Sequence, residues 1–428
     1  MGRRWPIAGK NRASGRRVRN AARRLRWPRV IHLVTLGSMV RLLLPALIVA
    51  NAAAVTAAAV TLLPTAAPDT LPSTAGGVGV ARVPIADAVV KDSGGGTRGP
   101  SAATLRDGRV LLGGGPDGTR LLVADPRTGS LAEVGRVIRA AQRLDDARFA
   151  PTDIEVMSTT ATRIRLFVSF PEYVAARKCV RVAVNRVDIS TGAQPTILGT
   201  AKVFRSTPCV PPAAIQHASG KLVRLSSSRA YVTVGDLGYP KINNRKARGQ
   251  LGSVLRIEKG RAAVRISQGH RNGQGLTLDR LGRLWETEHG PRGGDELNRI
   301  RRGRDYGWPF VTLGQPYGTS DYVMPRRTGT HAGYTKPATS WVPSVATSEL
   351  VQVPSSWTGW TTKVGGDLLM GTLKDQSFWR IRVDGAGAVT QRERLEVGHR
   401  IRDVDVRADG SVAATTDDGT LLILTRAG

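Results

Sequence analysis

From Ala103 to the C-terminus, the chain repeats one pattern, a turn containing glycine followed by a short strand in which apolar and polar residues alternate. Examples are RDGRVLLGG (106–114), LDRLGRLWETE (278–288) and RADGSVAATTDDGTLLIL (407–424). Asp-Gly between alternating runs is the strongest short-range signal for a β-hairpin. Many short strands, spaced about ten residues apart, predict an all-β fold such as a sandwich, a barrel or a propeller.

The length of this region narrows the choice of architecture. Residues 103–428 are too many for one small sandwich, and they suit a propeller of about six four-stranded blades. No strict internal repeat is visible, so the number of blades does not follow from the sequence pattern alone.

The N-terminal region has a different composition. Residues 1–41 hold 12 of the 63 Lys and Arg residues and no Asp or Glu. The 22 residues that follow (42–63, LLLPALIVANAAAVTAAAVTLL) carry no charge, and this length is enough to cross a bilayer. The pattern predicts either a signal-anchor helix with a cytoplasmic basic segment or a cleaved signal peptide with a long basic lead.

Residues 64–102 are rich in Pro, Ala, Gly, Thr and Ser, which predicts a flexible linker with one short strand at 78–83. Both readings of the N-terminus place residues 103–428 outside the cytoplasm, on the cell membrane or secreted. The net charge of +30 therefore does not indicate a nucleic-acid partner, because an exported domain does not meet the chromosome.

The chain contains only two cysteines, Cys179 and Cys209. Two cysteines exclude a disulfide-stapled scaffold and a Cys-rich zinc or iron–sulfur site. In an exported domain they form either a disulfide or two buried thiols, and their spacing leaves both readings open.

The densest polar cluster is GHRNGQGLTLDRLGRLWETEHGPRGGDELNRIRRGRDYGWP, residues 269–309. Its centre predicts a hairpin with strands at 276–278 and 283–288. A hairpin brings its entry and exit to the same end, so His270-Arg271-Asn272 and His289-Gly290-Pro291 should be neighbours in space. This is the geometry of a site, although ordinary loops carry such residues too.

Three further strand ends carry polar side chains. His217 precedes the strand YVTV, which ends in Gly235-Asp236, and the strand LLMGTL ends at Lys374. Arg400 and Arg402 lie two apart and hence on one side of a strand. Each of these residues alone is typical of a protein surface. Together they indicate a site, because they recur at successive strand ends of a fold in which the strand ends converge.

These motifs together resemble the glucose/sorbosone dehydrogenase family, which includes the soluble quinoprotein glucose dehydrogenases and the aldose sugar dehydrogenases. The resemblance runs from QHASGKL and VTVGDLG through GHRNGQGL and LGRLWETEHGPRGGDELN to YGWP, and covers residues 100–425. It implies a six-bladed β-propeller that binds pyrroloquinoline quinone (PQQ) and Ca²⁺ on its axis and oxidises an aldose-type sugar to its lactone.

The resemblance also implies roles for individual residues. His217 would be the general base, and Asp236 would orient it or the sugar. The backbone carbonyls of Gly290 and Pro291 would ligate calcium, which prefers hard oxygen ligands. A base with a pKa near neutrality suits the removal of a sugar hydroxyl proton.

The remaining residues carried over would contact the cofactor. Arg271 and Asn272 would hold its carboxylate and quinone edge, and Trp341 would form an aromatic wall. Three cations would bind cofactor carboxylates, namely Lys374, Arg400 and Arg402. Because the quinone bears three carboxylates, a site with several cations is expected.

The chain departs from the family pattern in three places. The family's Asn-Pro-Gln-Gly is here Asn272-Gly273-Gln274-Gly275, which should loosen the backbone at the edge of the cofactor. Residues 147–156 lack the Gln-Gly-Gly-Leu-Leu-like stretch whose glutamine touches the cofactor, so no glutamine is carried over. No acidic ligand for a second calcium is evident after YGWP.

Two functions therefore compete. The first is a membrane-anchored or secreted quinoprotein sugar dehydrogenase, with a small sugar as substrate, an external electron acceptor and no nucleic-acid partner. The second is a non-catalytic propeller that binds carbohydrate or protein outside the cell. The cationic residues favour the enzyme, and the missing glutamine favours the binding module.

Overall fold

The computed structural model describes residues 69–73, 76–212, 215–318, 321–361 and 366–426. The basic segment 1–41, the apolar segment 42–63 and residues 64–68 lie outside this part of the chain, so the structure does not bear on their expected roles. Over the described ranges, no helix has both the length and the apolar character needed to span a bilayer.

The described part of the chain contains 29 strands. The N-terminal strands are β1 (Asp69–Leu71), β2 (Val78–Pro84), β3 (Val90–Lys91) and β4 (Thr97–Arg98). Blade one contains β5 (Ser101–Thr104), β6 (Val110–Gly114), β7 (Arg120–Asp125) and β8 (Ser130–Arg136). Blade two contains β9 (Asp153–Thr159), β10 (Arg163–Val174), β11 (Cys179–Ser190) and β12 (Ile197–Arg205). Blade three contains β13 (Ser219–Arg224), β14 (Arg229–Val234), β15 (Ser253–Glu258) and β16 (Val264–Gln268).

Blade four is interrupted by a small insertion. It contains β17 (Gly273–Leu278), β18 (Leu284–Glu288), β19 (Asp295–Ile300) and β22 (Thr339–Trp341), with the parallel pair β20 (Val311–Thr312) and β21 (Arg327–Thr328) inserted before β22. Blade five contains β23 (Thr347–Gln352), β24 (Gly366–Thr372), β25 (Ser377–Val383) and β26 (Val389–Glu396). Blade six contains β27 (Ile401–Val406), β28 (Val412–Thr416) and β29 (Thr420–Arg426). Single 3₁₀ turns lie at Ala86–Ala88, Ala140–Gln142, Ala175–Arg177 and Ile215–His217.

The six blades form a ring. In each antiparallel sheet the strands follow chain order outward from an innermost strand, and the innermost strands of successive blades are neighbours. The predicted six-bladed β-propeller is therefore confirmed. The predicted hairpin in blade four is confirmed as well, since β17 pairs antiparallel with β18.

The ring is closed by the N-terminal part of the chain. Strand β2 pairs antiparallel with β29 along Val78–Pro84, which adds a fourth strand to blade six, and β1 adds a fifth. The expected short strand at 78–83 is confirmed. The expected linker 64–102 is wrong for its described part, because residues 78–102 contribute strands to the propeller.

The hydrophobic core lies between the blades. Each pair of successive blades shares a buried apolar cluster, such as Ala103 and Leu121 of blade one with Leu166 of blade two. The ring closes with the cluster that packs Leu421 of blade six against Val110 of blade one. Because the blades bury their apolar faces against each other, the axis of the ring is left for polar side chains.

The two cysteines form a disulfide, Cys179–Cys209. It links the start of β11 to the segment after β12, within blade two. The disulfide alternative of the sequence analysis is therefore confirmed.

Candidate active site

A cavity of about 1010 Å³ opens on the axis, at the end where the innermost strands begin. Its walls come from segments that lead into these strands and from the β24–β25 and β28–β29 connections. The predicted site residues that line the cavity are His217, Arg271, Asn272, Arg400 and Arg402. Residues far apart in the chain therefore meet, because every blade sends the same end of its innermost strand to the axis.

The first constellation is the pair of His217 and Asp236. His217 ends a 3₁₀ turn just before β13, and Asp236 follows β14, which pairs with β13. His217 Nδ1 lies 2.9 Å from Asp236 Oδ1. A Cβ at Gly235 would lie 1.8 Å from the carbonyl oxygen of His217, so only glycine permits this close approach. The Gly-Asp dipeptide is thus required by the pair and is not merely a turn.

The electrostatics of this pair favour a neutral imidazole. Burial, and then the nearby positive charge of Arg271, lower the pKa of His217 below its ordinary value. Burial of Asp236 opposes its ionisation, but the His217 imidazole and Arg271 lower the pKa of this carboxyl overall. The carboxylate fixes the imidazole proton on Nδ1, which leaves the Nε2 lone pair available as a base.

Asp236 accepts three further hydrogen bonds. Its Oδ2 accepts the indole N–H of Trp308 at 2.7 Å and the hydroxyl of Tyr322, and its Oδ1 accepts the backbone N–H of Gly238 at 2.9 Å. Tyr322 also lines the cavity. The buried carboxylate is therefore well satisfied by the surrounding chain.

The second constellation centres on Arg271 and confirms that the two ends of the predicted hairpin meet. Arg271 Nη1 donates to the carbonyl oxygen of Gly290 at 2.8 Å, and the backbone N–H of His289 donates to the carbonyl of Asn272 at 3.1 Å. The guanidinium lies 5.4 Å from the ring centroid of Trp308. Its Nε has no hydrogen-bond partner within the described chain, which leaves a buried donor open in a cavity-lining side chain.

A buried ionic cluster holds the backbone of Arg271 in place. His270 Nδ1 lies 2.8 Å from Glu286 and 3.3 Å from Glu288, and the Glu288 carboxylate accepts the backbone N–H of Arg271 at 2.6 Å. Burial opposes the charge on His270, yet the carboxylates of Glu286 and Glu288 raise the pKa of His270 to about 10. The imidazolium therefore stays charged at neutral pH and holds both carboxylates in place.

Gly273 is part of this support. It opens β17 and pairs with Glu288 of β18. A Cβ at Gly273 would lie 2.3 Å from Oε1 of Glu286. Asn272, just before it, accepts Gln274 Nε2 at 2.8 Å. The glycine that replaces the family's proline is therefore paired with β18 next to a register shift between Gly273 and Gly275, with Glu286 occupying the space beside it.

The third constellation is an arginine pair on β27 and just before it. Arg402 makes two hydrogen bonds of 2.8 Å to Asp417, and Arg400 Nε lies 3.0 Å from the same carboxylate. Burial opposes ionisation, but Arg402 and Arg400 lower the pKa of Asp417 to about 2. The stability that this ion pair contributes is therefore complete above the ordinary Asp pKa and is lost only as the pH falls through about 2.

Two predicted residues lie elsewhere. Trp341 is packed in the apolar cluster between blades four and five, with its ring 5.8 Å from that of Trp379. The expected aromatic wall at Trp341 is therefore wrong, because this strand end turns its indole into the inter-blade core. Lys374 is exposed between the cavity-lining Leu373 and Gln376, and does not itself line the cavity.

The two carbonyl groups predicted to hold calcium already have donors. The carbonyl oxygen of Gly290 accepts Arg271 Nη1, and that of Pro291 accepts the Tyr317 hydroxyl at 2.9 Å. A carbonyl oxygen has two lone pairs, so each can accept a donor and still ligate a cation. Both donors, Arg271 and Tyr317, line the cavity, which places the two carbonyl oxygens next to the cavity.

Among the cavity-lining residues that were not predicted from the sequence are two arginines and two tyrosines, namely Arg98, Arg148, Tyr317 and Tyr322. Arg98 is buried and donates to the carbonyl of Pro151 at 2.9 Å, and burial, with Arg402 nearby, lowers the pKa of Arg98 to about 10. Arg148 lies in the segment where the family's glutamine was sought. Tyr322 comes from the insertion of blade four. Arg148, Tyr317 and Tyr322 lie in loops and Arg98 lies in the two-residue strand β4. None of these segments has a periodicity that could have identified the residue from the sequence.

Comparison with known proteins extends these observations. Residues 103–424 match the family described as Glucose / Sorbosone dehydrogenase. An uncharacterised protein of Synechocystis is 32% identical over 49% of this chain and 56% of its own length. The aldose sugar dehydrogenase YliI of Escherichia coli is 31% identical over 51% of this chain and 61% of its own length. The chain thus matches a little over half of the length of these curated relatives.

Solved structures show the same fold. The apo-form of the soluble aldose sugar dehydrogenase of Escherichia coli superposes with a TM-score of 0.65 at 22% identity, covering 82% of this chain and 100% of the other. The PQQ-bound form of the aldose sugar dehydrogenase of Streptomyces coelicolor superposes with a TM-score of 0.58 at 21% identity, covering 83% and 100%. Because the family match covers residues 103–424, from within β5 into β29, the chain belongs to the glucose/sorbosone dehydrogenase family.

Proposed function

We propose that this protein oxidises an aldose-type sugar with PQQ as its cofactor. The observation that carries the proposal is that one cavity joins an oriented, neutral imidazole at His217 with arginines from several blades. A relative and a solved structure with the same fold are named aldose sugar dehydrogenases, and the solved structure holds PQQ. The chain would therefore use its central cavity for cofactor and sugar together.

The donor set of the cavity fits a tricarboxylate. Five arginines line it, namely Arg98, Arg148, Arg271, Arg400 and Arg402. Guanidinium groups bind carboxylates in pairs of hydrogen bonds. Asp417 already shows this geometry with Arg402. The open Nε of Arg271 adds a buried donor with no partner of its own within the described chain.

Calcium is the finer part of the proposal. The carbonyl oxygens of Gly290 and Pro291 are the hard ligands that this ion prefers, and Tyr317, which caps one of them, lines the cavity. The ion would add a positive charge near the quinone, where it acts as a Lewis acid.

The residues of the chain supply binding and proton transfer. His217 Nε2 would take the proton of the sugar's anomeric hydroxyl, while Asp236 holds the opposite ring nitrogen and stabilises the imidazolium. The arginines would hold the negative charge of the cofactor in the cavity. When bound, PQQ would supply the oxidant, a quinone that takes the two electrons of the anomeric C–H bond as a hydride. Loss of both hydrogens converts the hemiacetal to a lactone.

The first expected result is reconstitution. Adding PQQ and Ca²⁺ to the purified apo-protein should produce a new absorbance band and aldose-dependent reduction of a dye. The same titration with Ca²⁺ omitted separates the calcium proposal from the quinone proposal. No spectral change at micromolar PQQ would overturn the enzyme assignment and favour the non-catalytic carbohydrate-binding propeller.

The second expected result concerns the arginine pair. Arg402→Ala should weaken PQQ affinity about tenfold, and Arg400→Ala with Arg402→Ala about a hundredfold, because each removes a charge-assisted contact. In the single variant Arg400 still pairs with Asp417, so folding is preserved. The matched control is Arg127→Ala with Arg261→Ala, two exposed arginines away from the cavity. Unchanged affinity in the double variant would show that these cations do not bind the cofactor.

The location of the protein is also a proposal. A disulfide forms and persists in oxidising compartments, and Cys179–Cys209 is bonded. This supports an exported propeller, anchored to the cell membrane or secreted, that passes electrons to an external acceptor.

A further inference from the structure

Trp308 contacts both halves of the candidate site. Its indole N–H donates to Asp236, the partner of His217, and its ring lies against the guanidinium of Arg271. Its own backbone N–H donates to the carbonyl of Gly269 at 2.9 Å, two residues before Arg271. The side chain is buried in the apolar cluster between blades two and three. Trp308 is therefore held from several sides.

Tyr322 reaches the same carboxylate from the cavity side. Its hydroxyl donates to Oδ2 of Asp236 and lies 3.4 Å from Nδ1 of His217, and its ring centroid lies 5.8 Å from that of His217. Trp308 and Tyr322 thus share one oxygen of Asp236, while His217 and the N–H of Gly238 share the other.

We propose that Trp308 and Tyr322 are positioning residues, which set the strength of the hydrogen bond that His217 Nδ1 donates to Asp236, and that Trp308 also ties this pair to Arg271. The inference rests on the proposed function for the roles of His217 and Arg271 in turnover. The geometry of the contacts does not depend on it.

The physical reason lies in the charge of Asp236. Donors on Oδ2 stabilise the carboxylate and draw negative charge away from Oδ1, which faces the imidazole. Removing either donor leaves a stronger attraction for a protonated imidazole, so the pKa of His217 should rise. The titratable and charged groups that face His217 are Asp236, Arg271, Arg148, His289 and Tyr322. The variants below leave all of these in place except the tyrosine hydroxyl.

The decisive experiment uses the apo-protein and needs no cofactor. The six histidines are isotopically labelled, the His217 signal is assigned by its loss in His217→Ala, and its pKa is measured by NMR. We expect Trp308→Phe and Tyr322→Phe each to raise this pKa by about one unit. The matched control is Tyr317→Phe, a cavity-lining tyrosine whose hydroxyl donates to Pro291 instead, and it should leave the pKa unchanged.

The link to Arg271 needs a second pair of variants. Trp308→Phe keeps an aromatic face beneath the guanidinium, whereas Trp308→Leu removes it. We expect PQQ affinity to stay unchanged in the first and to fall several-fold in the second. In active protein, the acid limb of kcat/KM against pH should move upward by the same amount as the measured pKa in Trp308→Phe and Tyr322→Phe.

Each outcome tests a separate part of the proposal. An unchanged His217 pKa in both phenylalanine variants would overturn the positioning role, whatever the activity. Equal PQQ affinity in Trp308→Phe and Trp308→Leu would overturn the link to Arg271. If the wild type binds no PQQ, the proposed function fails, while the titration of the apo-protein still decides the positioning role. Tyr322, which is only half-buried at the cavity wall, keeps the test valid if a Trp308 variant folds poorly.

Discussion

Replacing His217 by alanine is expected to lower aldose turnover about 10²–10⁴-fold, the range that a positioned general base contributes. PQQ binding should be retained, because the arginines that line the cavity are unchanged. The remaining donors to Asp236, from Trp308, Tyr322 and Gly238, keep that carboxylate satisfied in the variant. Turnover is measured by dye reduction, and cofactor binding by the absorbance titration.

The matched control is His399→Ala. His399 also lines the cavity, but it pairs with Asp418 at 2.6 Å and has no contact with Asp236. We expect its loss to leave turnover close to that of the wild type. Equal losses in both variants, or normal turnover in His217→Ala, would show that the proton acceptor is a different group.

The same base predicts the direction of the pH dependence. Burial and Arg271 lower the pKa of His217, so the imidazole stays neutral and able to accept a proton below its ordinary titration range. Activity should therefore persist below pH 6.5, the ordinary pKa of histidine, and fall only as the pH drops through the lowered value. An acid limb above the ordinary value would contradict this environment for the base.

Replacing Lys221 by methionine is expected to destabilise the propeller by about 3–5 kcal/mol, the range for removing one partner of a buried ion pair. Lys221 on β13 lies 2.7 Å from Glu349 on β23 and 2.9 Å from Asp403 on β27, with Asp153 on β9 close by. One buried ammonium thus joins blades three, five and six across the axis.

This cluster of Lys221 with Glu349, Asp403 and Asp153 also separates two cavities on the axis. Ser219 lines the large cavity, whereas Leu222, Asp153 and Glu349 line a second cavity of about 540 Å³ at the opposite end of the ring. Lys221 lies between Ser219 and Leu222 on the same strand. Without its ammonium, three carboxylates would remain together in the centre of the protein.

The loss of stability should depend on pH. Burial raises the pKa of Asp153 and that of Glu349 to about 8. Carboxyl groups with raised pKa values are neutral in the folded protein at low pH. As the pH rises through their pKa in the folded state they ionise, and the folded protein loses stability. We therefore expect the deficit of Lys221→Met to be smaller at pH 5 than at pH 8.

The free energy of unfolding is measured by urea denaturation at both pH values. Lys259→Met, at an exposed lysine, is the control and should change stability little. Adding Glu349→Gln and Asp403→Asn to Lys221→Met should restore part of the loss, because two of the stranded charges are removed. A Lys221→Met protein as stable as the wild type would show that the cluster does not hold the blades together.

The architecture was predictable because it follows from local patterns. Alternating strands with Asp-Gly turns specify hairpins one by one, and Arg400 and Arg402 fall on one face because side chains alternate along a strand. The meeting of Arg271 with Gly290 was predictable for the same reason, since both flank one hairpin. Ring closure through β2 was missed, because a short apolar strand in a Pro- and Gly-rich segment shows its function only when it pairs with β29.

The side chains of the site also divide into those that local sequence patterns predict and those that only the tertiary structure reveals. The sequence alone determined an all-β propeller, and its motifs brought together a histidine, an aspartate and several cations. Only the tertiary structure decided that Trp341 turns into the core between two blades and that Lys221 bridges the axis. It also decided that Arg148 and Tyr322 reach the cavity from irregular loops and Arg98 from the short strand β4. The physical reason is that strand periodicity is a local property, whereas contacts between loops and across the ring arise from closure of the blades around a common axis.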